Sequence, residues 1–214
     1  MNKKIKLIPF VVVGDPSLDK SGELLRKFAT NGYDTAVLGI PFSDPVMESL
    51  VVQEANTRAI EKGVRTDNIF ALLKELNLPI NYILRTYANV VFSIGIKNFA
   101  IEAKKAGVKA LFITDLPFVE RDEFVQALKD EGIDLLNNIV LSDESKIEMM
   151  VDAQENLLIS PDFEGDNELE QLKTLSLMVD KYNLNVNKMI EYNPKFKLKD
   201  YQGIADSLII NLMQ

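Results

Sequence analysis

Short apolar runs alternate with amphipathic stretches of helix length from one end of this 214-residue chain to the other, and that rhythm restricts the folds open to it. Leu7 to Val13 is apolar at every consecutive position and rich in β-branched residues, as a parallel strand covered on both faces has to be. Ser17 opens a helix with Leu24, Leu25 and Phe28 at helical spacing, and Gly32 closes it. Strand-like runs recur at residues 35–40, 80–87, 110–116, 134–141, 156–160 and 185–192. Between them lie helix-like stretches: one through Asn56 and Ile60 to Gly63, one from an N-cap at Thr66 to Leu76, then residues 95–105, 119–130, 145–153 behind a Ser142-Asp143-Glu144 cap, and 168–181. A last helix is expected over residues 198–213.

Alternation of this kind implies a parallel sheet with right-handed crossovers. The expected fold is α/β in a single domain, residues 1–214: TIM-barrel-like β/α units with about seven parallel strands, an incomplete or atypical (β/α)8 barrel. A full eight-unit barrel takes about 250 residues, so an open doubly wound sheet and an overlooked eighth strand both stay open.

Composition excludes several chemistries. There is no cysteine, hence no disulfide, thiolate nucleophile or thiolate metal site, and no histidine, the commonest general base and transition-metal ligand. Proton transfer must fall to Asp, Glu, Lys or Tyr. Tryptophan is missing too, which fits drift or an engineered origin. A net charge of -8 argues against nucleic acid or an anionic membrane as partner. The apolar run after Lys3 and Lys4 is short, holds Lys6 and Pro9, and ends in Gly14-Asp15-Pro16, so it reads as a first strand rather than a leader, and a cytoplasmic location is expected.

Chemistry in such folds sits on the loops after the strands. Gly39-Ile40-Pro41-Phe42-Ser43-Asp44-Pro45 is such a loop. Asp15, Asp44 and Asp115 all fall at strand ends, where carboxylates either bind a hard cation or make turns and caps, and the second use is the commoner. No metal or cofactor is expected.

Ile8-Pro9-Phe10 with Gly14-Asp15-Pro16-Ser17 is followed by Leu38 to Pro45 and by Gln53-Glu54-Ala55-Asn56 with Arg58-Ala59. After these come Tyr87-Ala88-Asn89 with Phe92 and Gly95-Ile96, and then Asp115-Leu116-Pro117. By these motifs, in this order and spacing, the chain from about residue 7 to residue 160 resembles the α subunit of tryptophan synthase. The resemblance implies a (β/α)8 barrel that cleaves indole-3-glycerol phosphate to indole and glyceraldehyde 3-phosphate without metal or cofactor. The implied partner is a pyridoxal-phosphate β subunit; a homo-oligomer is the alternative. The family's acid/base glutamate falls at Val37. Its second carboxylate falls at Glu48, which becomes the candidate catalytic residue, and Phe10, Tyr87, Phe112 and Asp115 match substrate-contacting positions. Arg85 stands where the indole pocket is apolar, a place where a guanidinium is costly unless paired. The loop Ser160-Pro161-Asp162-Phe163-Glu164-Gly165-Asp166 is acidic and poor in glycine, unlike a phosphate cradle.

Residues 185–214, with Met189-Ile190-Glu191-Tyr192-Asn193-Pro194 and Ala205 to Leu212, more weakly resemble the closing strand and helix of arginase-like ureohydrolases, which implies a chimera. With Val37, Arg85 and the missing glycines, the expectation is a non-catalytic, degenerate or engineered scaffold. The alternative is a divergent lyase of the tryptophan synthase alpha type, or an enzyme acting on another small molecule at the same rim.

Overall fold

A computed structural model describes residues 4–142, 147–151, 156–161, 167–182 and 185–213. Two compact units emerge, one built on Pro9–Leu135 and one on Leu136–Asn211, with the first strand divided between them at Ile8 and Pro9.

The larger unit contains β1 (Lys6–Val12, from Pro9 on), α1 (Leu18–Thr30), β2 (Thr35–Gly39), α2 (Leu50–Glu61), α3 (Thr66–Leu76) and β3 (Asn81–Thr86). It continues with α4 (Ala88–Ile94), α5 (Ile96–Lys105), β4 (Val108–Ile113), a 3-10 turn (Phe118–Glu120), α6 (Asp122–Asp130) and β5 (Asp134–Leu135). Its strands are parallel in the order β5-β4-β3-β2-β1. Ser17 caps α1 by accepting a hydrogen bond from the Lys20 N–H, and Asp19 in the first turn suits the helix dipole. Gly22 brings α1 close to α3: a Cβ there would lie 3.3 Å from Leu72 Cδ1.

Register decides which side chains share a face. Phe10 pairs with Val37 and Val37 with Ile83; Val12 pairs with Gly39, Gly39 with Arg85, and Arg85 with Phe112. Since side chains alternate along a strand, Phe10, Val37, Ile83, Arg85 and Phe112 point the same way. All are buried.

The smaller unit contains β6 (Asn137–Ile139), α7 (Ile147–Val151), β7 (Asn156–Ile159), α8 (Glu168–Tyr182), β8 (Asn187–Glu191), a 3-10 turn (Leu198–Tyr201) and β9 (Ser207–Asn211). Its strands are also parallel, in the order β6-β7-β8-β9. Among the described residues no helix is long and apolar enough to cross a membrane.

Four expectations need correction. The described strands number nine, not seven. The run expected as one strand over 134–141 is two, β5 and β6, one in each unit, with Leu136 between them. The helix expected over 198–213 is a 3-10 turn followed by β9. Gly203 adopts φ 79°, which ends the turn, and consecutive Leu208 and Ile209 are both buried, the signature of a strand covered on two faces. Ile190 pairs with Leu208, so this segment is the overlooked strand. The cap of α3 is Arg65 rather than Thr66. Helix α4 was not expected. The cap residues 143–144 and the acidic loop 162–166 lie outside the described residues.

Candidate active site

The loop after β2 is fastened at several points. The Phe42 N–H donates to Asn56 Oδ1 (2.8 Å), and Asn56, buried in α2, donates to the Val52 carbonyl (2.7 Å). The Gln53 amide donates to the Glu48 carbonyl (2.7 Å), and the Met47 N–H donates to the Tyr87 hydroxyl oxygen (3.3 Å). Gln53 and Asn56, three residues apart on one helix face, thus grip the loop that precedes their own helix. Arg58 from the same helix holds the Asp15 carboxylate in a bidentate pair, Nε to Oδ1 at 2.7 Å and Nη2 to Oδ2 at 2.8 Å.

What that loop presents is Glu48. Its Oε1 lies 2.9 Å from Arg85 Nε, and the two side chains are only 6% and 9% exposed. The guanidinium carbon sits 5.4 Å from the Phe10 ring centre and 5.5 Å from that of Phe112, so two aromatic faces and one carboxylate answer its charge. The cost foreseen for an arginine here is therefore met by a partner that the sequence reading had named separately. The space left among Phe10, Gly39, Ile40, Glu48, Arg85 and Tyr87 is about 10 Å³, roughly one water molecule. Gly39 keeps this corner open, since a Cβ there would come within 3.2 Å of the Phe10 ring.

Of the sequence-predicted residues, Glu48, Phe10, Tyr87 and Phe112 meet around Arg85. Tyr87 is buried and stacked on Phe42 at 4.6 Å and 23°. Burial first, and the nearby Glu48 charge second, hold its phenol above the usual range. Val37 is buried on the same sheet face and offers no titratable atom. Asp115 stands apart in role: exposed, it accepts a 2.7 Å hydrogen bond from the Ala88 N–H and so caps α4. Asp15 is committed to Arg58, and among the described residues no three metal-ligating side chains converge. The sequence reading missed the Glu48–Arg85 pairing and the grip of Gln53 and Asn56. A buried-type position occupied by Arg, with carboxylates at Asp44 and Glu48 on the facing loop, was the signal for the first.

Comparison with known proteins bears on the whole chain. The family model described as Tryptophan synthase alpha chain matches residues 1–159. A tryptophan synthase alpha chain from Synechocystis sp. is 41% identical over 132 residues, covering 61% of this chain and 50% of that protein. One from Methanosarcina barkeri is 36% identical over 134 residues, covering 63% and 51%. The chain thus spans about half the length of the curated relatives it matches. Among solved structures, tryptophan synthase from M. tuberculosis in an open form with BRD0059 bound superposes with TM-score 0.86 at 20% identity, over 98% of this chain and 84% of that one. Tryptophan synthase subunit alpha from Legionella pneumophila gives 0.83 at 23%, over 99% and 86%.

These findings overturn two expectations. The ureohydrolase resemblance and the chimera find no support, because the structural likeness runs through residues 185–213 as well, and β9 replaces the helix on which that resemblance leaned. The reading as a non-catalytic or engineered scaffold is contradicted by relatives 38–41% identical that are named tryptophan synthase alpha chains. The fold is the TIM-barrel-like parallel α/β fold of those structures. A family match over residues 1–159, well over half of the sequence, places the chain in the tryptophan synthase alpha chain family.

Proposed function

We propose that this chain is a carbon–carbon lyase of the tryptophan synthase alpha type, splitting indole-3-glycerol phosphate into indole and glyceraldehyde 3-phosphate, with Glu48 as the proton carrier. The observation that carries the reading is the Glu48 carboxylate, buried 2.9 Å from Arg85 beside the ends of β2 and β3. The reaction is proton-neutral. Ring carbon C3 gains a proton, the glycerol hydroxyl loses one, and the C–C electron pair returns to the ring as the aldehyde carbonyl forms. One carboxylate can make both transfers, which answers the loss of a carboxylate at Val37. Phe10, Tyr87 and Phe112 supply apolar walls for an aromatic ring. With about 10 Å³ vacant, the Arg85 and Glu48 side chains must move aside before substrate enters.

Indole release from indole-3-glycerol phosphate tests this. The unmodified chain is expected to turn over, and Glu48→Gln to lose about a hundredfold or more. No turnover by the unmodified chain, or full turnover by Glu48→Gln, overturns the assignment. The same reading gives the chain a β-type partner subunit, supported by the apolar side chains that the Glu48 loop and the start of α2 hold in solvent: Val46 at 71%, Met47 at 59% and Leu50 at 75% exposure.

A further inference from the structure

A second concavity lies at the far end of β3 from Arg85. Between the last turns of α3 and α5 and the first residues of β3 is a cleft of about 310 Å³, all within the larger unit. Lys74, Lys104, Lys105, Lys109 and Tyr82 are among the residues that line it. Last-turn lysines ordinarily answer a helix dipole, and Lys74, Lys104 and Lys105 hold such positions. Glu102 further pairs with Lys74 and Lys105. Two features exceed that use. The first is Lys109, which stands on a strand. Tyr82 pairs with Val108 and Ile83 with Ala110, so Lys109 is the extra residue of a β-bulge, exposed between two buried neighbours. Among the described residues neither its ammonium group nor that of Lys104 meets a carboxylate. The second is Tyr82, only 2% exposed, whose hydroxyl has no hydrogen-bond partner among the described residues. A buried polar group left unmet costs stability, so its presence in a folded chain calls for a physical account.

We propose that this cleft is a binding site for a small multivalent oxyanion, phosphoryl or polycarboxylate, held by Lys104 and Lys109 and accepting a hydrogen bond from the Tyr82 hydroxyl. It stands apart from the lyase centre and does not rest on that reading. Charge selects an anion. The chain carries a net charge of -8, yet this cleft gathers four ammonium groups, while Glu102, paired with two of them, offsets one charge. Valence follows from the helix ends. The last carbonyls of α3 and α5 disfavour an anion, so a singly charged ion gains little there. A ligand with two or more charges engages both remaining ammonium groups at once. Size follows from the volume, which lies at the lower end of the range for small-molecule sites. Burial holds the Tyr82 phenol above its ordinary range, so it stays protonated and can donate. The ligand thus supplies the acceptor that the fold withholds.

Calorimetric titration tests the site, at an ionic strength of about 0.15 M so that exposed charges are screened. The probes are pyrophosphate, citrate and acetate, the last as a singly charged control. They are titrated into the unmodified chain, into Tyr82→Phe and into the double variant Lys104→Gln/Lys109→Gln. The unmodified chain is expected to bind pyrophosphate or citrate about tenfold or more tighter than acetate. The double variant is expected to lose about tenfold or more of that affinity, and Tyr82→Phe about threefold or more. Tighter binding of pyrophosphate identifies a phosphoryl ligand, and tighter binding of citrate a polycarboxylate. Tyr82→Phe removes only an unmet hydroxyl, so in urea unfolding without ligand it is expected to be at least as stable as the unmodified chain, which separates lost binding from lost folding. Failure of both multivalent anions to bind, or binding that Tyr82→Phe or the double variant leaves unchanged, overturns the proposal. The lyase reading fails separately, on indole release by the unmodified chain, whatever these titrations give.

Discussion

At the scale of single residues, Gly39 and Tyr87 report on the centre most directly. Gly39 sits where a methyl group would press within 3.2 Å of the Phe10 ring and 3.3 Å of Val12 Cγ2. Gly39→Ala is expected to cost about 1–3 kcal/mol in urea unfolding, as overpacking does, and to disturb the ring that flanks Arg85. Tyr87 titrates above its ordinary range, mainly through burial and next through the Glu48 charge. Removing that charge in Glu48→Gln is expected to lower the Tyr87 pKa, read from the tyrosinate absorbance of the variant against the unmodified chain, since the other five tyrosines stay in place. The sign follows from like-charge repulsion: a carboxylate disfavours a neighbouring phenolate. An unchanged titration would mean that burial alone sets the value. Val37 was legible at once as a lost carboxylate, because one residue type rules out a chemistry. The Glu48–Arg85 pair was legible only in halves, because the two lie 37 positions apart and a loop has no periodicity that says where its side chains point.

At the scale of elements, α3 and α5 are tied by Lys74 and Glu102, with Lys105 on the same carboxylate. The two lysines hold the Glu102 carboxyl down at about 2. A depressed carboxyl pKa gives stability that is present above the unfolded value, near 4.5, and is lost as pH falls from there toward 2. Glu102→Gln is therefore expected to lower the melting temperature at pH 7, and the difference from the unmodified chain should shrink through that window; a difference constant with pH would deny the ion pairs any part in it. The β1–α1 loop supplies a second test. Gly14 adopts φ 99°, and a Cβ there would lie 2.6 Å from Val64 Cγ2, so Gly14→Ala combines backbone strain with a clash and should unfold at distinctly lower urea concentration. Most strands were readable as apolar β-branched runs. The last was misread because Ile204, Leu208 and Leu212 repeat every four residues, a helical period, while the two-sided burial of Leu208 and Ile209 is visible only in three dimensions.

At the scale of the molecule, the alternation of elements conveyed the fold class, and the family match together with solved relatives of TM-score 0.86 and 0.83 extends it to the end of the chain. What alternation did not convey was the count, because two short strands follow one another without a turn signal at Leu136 and the last strand carries a helical spacing. Exposed Val46, Met47, Leu50 and Val51 form an apolar group beside the candidate site. Mixing the chain with a tryptophan synthase β subunit is expected to yield a complex on gel filtration, and Leu50→Asp to weaken it. A chain that instead elutes as a dimer by itself, with Leu50→Asp converting it to a monomer, would assign that surface to self-association.

The buried pair also implies that its two ends are not equivalent. Arg85 is held on a strand among buried neighbours, whereas Glu48 sits on a loop between exposed Met47 and Ser49, with a short path to water. Arg85→Leu is therefore expected to be milder in chemical unfolding than Glu48→Leu, which takes that carboxylate away from a buried guanidinium; equal losses would deny the loop this freedom.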